Sequence, residues 1–273
     1  GLPPIYGLYV SILPPIVYAI ITRTRDVVFG MDSATVAATG GVVAAAGIAL
    51  GSSDAMQFIP LLTLFTAAFL VLFTLVRFGK VMHYIPTPVM HGFIAGISIS
   101  VIVDQIPLLV DTDVSIGSDF IANVVAIFSS LPTANLISAL MALLTLVVLG
   151  LFKRRFHKMP TSLILIAIAT VLTAVFHLDT YGVSVLGTLP SAMPRLVMPS
   201  FGGVDILLVA FYAFTIALVS AAESLLTVDL FAMKHNNRGN EGHELLAFGI
   251  ADIFSALVGC TPCSASLSRT AAG

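Results

Sequence analysis

Three ionisable residues sit inside runs that are otherwise apolar or small. They are Asp32 in RDVVFGMDSATVAATGG, Glu223 in SAAESLLTVDL and Arg269 in CSASLSRTAAG. Such groups are costly at bilayer depth and commonly mark a pathway. Asp32 and Ser33 follow a short β-branched run and a glycine, and they precede small residues, which is the composition of a helix N-cap. A helix that begins partway into a membrane aims its free N–H groups and positive end at the bilayer centre, where they can hold an anion. The competing reading is an ordinary cap near the cytoplasmic surface, close to Arg25. The C-terminal stretch repeats the pattern: a Gly and Pro break, then Ser264, Ser266 and Ser268, then Arg269. Ser33-Ala34-Thr35 parallels Ser264-Ala265-Ser266. Paired interrupted segments of this kind point to an inverted-repeat transporter with a midplane site. Arg269 adds a full positive charge there, or else serves as a structural partner for Glu223 or a carbonyl.

Glu223 must face the protein interior, with Ser220 and Thr227 about one turn away on the same face. A carboxyl in that setting can carry a proton during transport, or can hold Na⁺ together with hydroxyls and carbonyls; a packing salt bridge to Arg269 is the alternative. Two further acids, Asp104 and Asp252, lie within candidate spans. Asp104 falls near an outer end, and nothing nearby suggests a partner for Asp252. Asp229 is nearer the cytoplasmic end and is expected to be solvated. Other patterns fail. Cys260-Thr261-Pro262-Cys263 is a lone CxxC and cannot close a zinc site. His243-Glu244 begins an HExxH, but Ala247 ends it. His91 reads as a packing or interfacial histidine. Gly40-Gly41 and Gly47 suit close helix packing better than phosphate binding.

The elements that must position these groups are membrane spans. The chain has 273 residues, 58% hydrophobic and 10% charged, with a mean hydropathy of +1.06. A soluble domain carries about a quarter charged residues. The net charge of −2 gives no reason to expect nucleic acid, and two cysteines do not make a disulfide framework. A span needs roughly 20 apolar residues. The candidates are 4–21, 33–50, 57–76, 86–109, 135–152, 160–177, 204–232 and 243–259, with a further element starting near Pro262. Residues 119–131 suit an interfacial helix, and 178–203 an extended, Gly- and Pro-rich connector. Ten of the twelve basic residues fall in alternate loops: Arg23 and Arg25, Arg77 and Lys80, Lys153 to Arg155 with Lys158, and Lys234 with Arg238. Those loops belong in the cytoplasm, so the first span runs from outside to inside. The intervening loops carry Asp54, Asp111, Asp113, Asp119, Asp179 and Asp205, with Arg195 the exception. Opening on Gly1 without Met and closing on Thr270-Ala271-Ala272-Gly273, the sequence reads as a piece of a longer polytopic chain.

Several stretches resemble the sulfate permease (SulP) family of anion transporters, in order along nearly the whole chain. GLPPIYGLYVSILPPIVYAI resembles that family's second span, and RFGKVMHYIPTPVMHGFIAGISI the approach to its fifth. ESLLTV and NEGHELLAFGIADIFSALVG resemble its eighth and ninth spans, and CSASLSRTAA the opening of its tenth. The resemblance implies an all-α polytopic membrane protein with seven-plus-seven inverted repeats and two strand-plus-helix broken segments. It implies a core domain at 1–80 and 203–273 and a gate at 84–200. In the family the complete protein is usually followed by a STAS domain, and a homodimer is expected. The anion site then maps to Gly30, Met31, Asp32, Ser33 and Ala34, and to Ser266, Leu267, Ser268 and Arg269. Glu223 maps to the eighth-span carboxylate, with Thr227 one turn below it as a second candidate for ion coupling. Many members have Gly-Pro and then a neutral residue where this chain has Gly30-Met31-Asp32. A carboxylate beside an anion site repels substrate unless protonated or paired, so Asp32 or Glu223 is expected to take up a proton with the anion.

The expected function is secondary active transport of a small anion (sulfate, bicarbonate or dicarboxylate) across the inner (plasma) membrane. The expected mode is elevator-type and H⁺- or Na⁺-coupled. No cofactor is expected beyond the coupling ion, and no enzymatic chemistry. Competing readings are a nucleobase permease of similar fold, against which Arg269 argues, and an anion channel or non-transporting sensor.

Overall fold

The computed structural model describes residues 2, 4–24, 27–49, 51–82, 87–112, 114, 120–155, 161–185, 196–199, 205–235 and 240–272; for some helical residues it describes the backbone alone. The side chains of His91, Asp104 and Ser268 lie outside the described set, as do those of Arg25 and the basic residues at 153–158.

Helix α1 covers Pro4–Ile21 and contains Pro14 and Pro15. A short extended segment leads to strand β1, Phe29–Gly30. Helix α2, Ser33–Ala45, starts at Asp32, whose side chain accepts from the Ala34 N–H. Its thirteen residues reach only about 20 Å at 1.5 Å per residue, so α2 cannot cross a bilayer and is part of a broken span. It stops short of the predicted 33–50 because Ala46 closes it and Gly47 turns to φ 71°. Helix α3, Ser53–Leu75, is capped by Ser52. Helices α4 (Gly79–Met82), α5 (Thr87–Val110) and α6 (Phe120–Ser130) follow. Then come α7 (Leu136–Arg155), α8 (Thr161–Phe176), α9 (Ile206–His235) and α10 (Glu241–Leu257). Strand β2, Ser264–Ala265, and helix α11, Leu267–Ala272, end the chain. Among the described helices, α3 and the Ile206–Ala232 part of α9 are each long and apolar enough to cross a membrane. Helices α6 and α7 meet at a bend of 114°.

The chain divides into two compact units, residues 1–95 with 189–273, and residues 96–188. In the first, α10 lies along α3 and α1, and α9 lies along α3. The α3–α10 approach is set by Gly249, where a Cβ would stand 2.7 Å from Val71 Cγ2 and 3.1 Å from the Ala67 carbonyl oxygen. Tyr18, Phe29 and Phe248 form a ring cluster with centroids 4.9–5.3 Å apart, which joins α1, β1 and α10. In the second unit Asp111 ties three segments together. Its carboxylate accepts from Ser184 N (2.7 Å), Ser184 Oγ (2.6 Å) and Ser138 Oγ (3.2 Å), and these bonds hold the group below the usual carboxylate range. Helix α6 buries Asn123 and Ile127 and exposes Ile121, Val125 and Phe128. The stretch predicted to be an extended connector does not begin extended. Leu178–Tyr181 form a 3-10 turn, because the Gly182 N–H reaches back to the Asp179 carbonyl.

Candidate functional site

The two broken segments meet. Strands β1 and β2 pair antiparallel, with Phe29 opposite Ala265 and Gly30 opposite Ser264. Non-helical backbone is tolerated at membrane depth only where protein groups satisfy it, and here they do. The Ser266 N–H donates to the Val28 carbonyl at 3.0 Å, and Val28 N–H donates to Thr270 Oγ1 at 3.0 Å. Helix α9 supplies the rest through hydroxyls spaced along one face. Ser220 Oγ donates to the Cys263 carbonyl at 3.1 Å, and Ser224 Oγ accepts from Ala265 N–H at 2.9 Å. Thr227 Oγ1 donates to its own helix at the Glu223 carbonyl (2.9 Å) and lies 3.4 Å from the Ala265 carbonyl. The predicted shared face of Ser220, Glu223 and Thr227 is therefore the face that carries β2. Ser224 belongs to the same stripe and was not singled out by sequence, although its spacing from Ser220 and Thr227 is the signal.

Glu223 is 7% exposed. Ser264 Oγ donates to its Oε2 at 3.4 Å, and Thr35 Oγ1 donates to Ser264 Oγ at 2.9 Å. The carboxyl groups of Glu223 and Asp32 lie beside each other. Asp32 Oδ2 also accepts the Ala34 N–H of α2 at 3.0 Å.

Arg269 stands on α11 with an exposed side chain. Its Nη1 lies 3.3 Å from where a Cβ on Gly30 would be, and Pro15 Cγ closes the same spot at 3.6 Å. Gly30 has φ 157° and no side chain, so the guanidinium can lie over the β1 backbone. Among the described residues no ion pair joins Arg269 to Glu223, whose side chain meets Asp32 and Ser264 instead. The packing salt bridge weighed from sequence is absent. Ser33 is exposed, whereas Met31, Ala34 and Leu267 are half-buried. Ser266 is buried below the Arg269 turn.

Two buried acids have roles the sequence did not reveal. Asp252, expected to lack a partner, accepts the Cys263 N–H at 2.9 Å. Glu244, fully buried, accepts from Tyr18 OH (2.9 Å), Thr22 Oγ1 (2.7 Å), Arg23 N (3.2 Å) and Thr24 Oγ1 (3.1 Å). These donors lie more than 200 positions away in sequence, so no local pattern could reveal the contact. Among the described residues no group of three or more His, Cys, Asp or Glu could hold a metal ion.

The model of the sulfate permease family matches residues 1–273. The chain is 30% identical over 274 residues to a probable sulfate transporter of Mycobacterium tuberculosis, covering 99% of this chain and 48% of that protein. It is 28% identical over 275 residues to a putative sulfate transporter of Bacillus subtilis, covering 99% and 50%. It therefore spans about half the length of these relatives. Among solved structures it is similar to the murine solute carrier 26 member A9 anion transporter in the inward-facing state. There the TM-score is 0.80 at 20% identity, covering 99% of this chain and 48% of that one. It is also similar to the transmembrane domain of the cyanobacterial bicarbonate transporter BicA, with TM-score 0.74 at 19% identity, covering 98% and 68%. The structural likenesses bear on the fold, which is that of a largely helical membrane transporter. The match over every residue settles the assignment: this chain belongs to the sulfate permease family, whose members are transporters rather than enzymes.

Proposed function

We propose that the complete protein is a proton-coupled secondary transporter of a small anion, with sulfate the first candidate and bicarbonate and dicarboxylates next. The observation that carries this reading is the joint placement of Arg269 over Gly30 and of the Asp32–Glu223 pair at the start of α2. Arg269 and the first N–H groups of α2 attract the anion. Gly30, Met31, Ser33 and Ala34 line its approach from one segment, and Ser266, Leu267 and Ser268 from the other. Asp32 caps α2 by accepting the Ala34 N–H, and the coupling proton is assigned to Glu223 beside it. Arrival of an anion beside the two carboxyls is repulsive unless a proton comes with it, and Glu223 takes up that proton. Anion and proton therefore travel together. Thr227 holds β2 against Glu223 and keeps the pair in register with the site.

The transport step is taken to be an elevator movement of a core (1–80 and 203–273) against a gate (84–200), in a plasma-membrane homodimer. The relatives' printed names, which concern sulfate and bicarbonate, support the choice of cargo for testing. The test is uptake of labelled sulfate, bicarbonate and succinate by the complete protein in proteoliposomes, with imposed proton or Na⁺ gradients. Saturable uptake with counterflow, driven by the proton gradient and weakened about tenfold or more in affinity by Arg269→Ala, is expected, since the variant removes a charge-assisted contact. Uptake driven by Na⁺ alone rejects the proton assignment, and flux without saturation or counterflow rejects a carrier.

A further inference from the structure

The site reading does not use the most deeply buried acid near it. Asp252 on α10 is 0% exposed. Its Oδ1 accepts the Cys263 N–H at 2.9 Å, and its side chain also meets the Cys263 thiol. Its Oδ2 is buried and, among the described residues, has no hydrogen-bond partner. On the elements packed against α10, the described titratable and charged groups are Tyr6, Tyr9 and Tyr18 on α1, Asp54 on α3, Lys80 on α4, and Tyr212, Glu223 and Asp229 on α9. The titratable group beside Asp252 is the Cys263 thiol. Among the described residues no cluster of metal-ligating side chains surrounds Asp252. A buried carboxylate with one oxygen unpaired costs several kcal/mol, whereas a neutral acid at the same place keeps the Cys263 bond and carries no charge.

We propose that Asp252 is a second protonation site, separate from the Asp32–Glu223 pair, with its proton on Oδ2 and its Oδ1 anchoring the start of β2. Cys263 immediately precedes Ser264, the partner of Gly30 in the strand pair, and Ser255 Oγ donates to the Thr261 carbonyl on the same loop at 2.7 Å. Loss of the proton leaves an unpaired charge directly behind β2 and displaces Ser264 and Ser266 from the site. Asp252 thereby makes the geometry of the anion site conditional on proton occupancy, whichever anion is carried. Asparagine at 252 keeps an oxygen for the Cys263 N–H and cannot titrate.

The test is infrared spectroscopy of the complete protein in lipid at neutral pH, with and without carbonyl-labelled aspartate. The expected result is the band of a water-excluded aspartic acid, which moves with the label, vanishes in Asp252→Asn and remains in Glu223→Gln. In parallel, anion affinity in Asp252→Asn holds at alkaline pH, where the wild type weakens. Absence of any labelled aspartic-acid band overturns the proposal, as does a band untouched by Asp252→Asn. Should that variant fail to fold, Cys263→Ala removes the thiol against the carboxyl and must shift the band; an unshifted band overturns the proposal equally. The spectral readout stands even if no tested anion is transported, so its failure and the failure of the transport reading are separate results.

Discussion

Glu244 offers a graded test of how α1 and α10 are held together in the first unit. Four donors converge on its carboxylate, from Tyr18, Thr22, Arg23 and Thr24. Removing the acceptor with Glu244→Ala strands them. Thr22 Oγ1 has a second acceptor, the Thr24 carbonyl at 3.2 Å, and Arg23 is exposed, so two hydroxyl donors, on Tyr18 and Thr24, are left buried without partners. At about 1–3 kcal/mol for each unmade bond, less what invading water restores, the loss is about 4 kcal/mol. Glu244→Gln keeps one oxygen and turns an amide N–H₂ toward donors, for about 2–3 kcal/mol. Tyr18→Phe removes a single donor while its ring stays against Phe29 and Phe248, for about 1 kcal/mol. The protein brings its own reporters. Cys260 and Cys263 are free and fully buried, so a thiol-reactive fluorogenic maleimide reads unfolding as their exposure. The measurement is a thermal or denaturant titration of the complete protein, with any cysteine outside this chain replaced by serine. The order Tyr18→Phe, Glu244→Gln, Glu244→Ala in falling stability is expected. If Glu244→Ala unfolds no earlier than Tyr18→Phe, the network does not hold α1 to α10 and the reasoning fails.

Other substitutions probe separate links. Gly249→Ala places a methyl against Val71 and the Ala67 carbonyl and should cost about 1–3 kcal/mol by overpacking, read by the same cysteine exposure. Gly30→Ala puts a Cβ 3.3 Å from the Arg269 guanidinium, at φ 157°; anion affinity should fall while expression and fold persist, and unchanged affinity would separate Arg269 from the site. Asp111 titrates below its ordinary 3.8 because Ser184 and Ser138 donate to the ionised form. Its contribution is therefore present above the unfolded value and lost as pH falls through the lower folded one. Hydrogen exchange at the Ser184 N–H should be faster in Asp111→Asn than in the wild type at neutral pH, and the two should converge in strong acid.

The long helices were legible because hydropathy alone marks them: α3 and α9 each fall within two residues of the predicted 57–76 and 204–232 at one end, and overrun them at the other in polar flanks at Ser53 and His235. The broken segments were legible for a different reason. Asp-Ser after Gly30, and a serine run after Pro262, are cap and strand chemistry in places where a spanning helix would be apolar. The spacing of Ser220, Glu223 and Thr227 gave a correct face. What could not be read was which distant groups meet. Asp32 and Glu223 look like two separate candidates in one dimension and become neighbours only after β1 and β2 align. Glu244 looked like half of a failed zinc motif, and Asp252 like an orphan, because their partners lie across a turn or at the other end of the chain. Arg269 was expected either beside Glu223 or at the anion site, and the contact it makes is with the backbone at Gly30, whose missing side chain leaves room for the guanidinium.

The central claim is that a proton moves with the anion through the Asp32–Glu223 pair. The direct measurement is the internal pH of proteoliposomes containing the complete protein, followed while labelled sulfate enters without any imposed proton or Na⁺ gradient. Acidification of the interior in proportion to sulfate taken up is expected, abolished in Glu223→Gln while sulfate counterflow persists. Sulfate entry with no change in internal pH, or acidification that survives in Glu223→Gln, would contradict it.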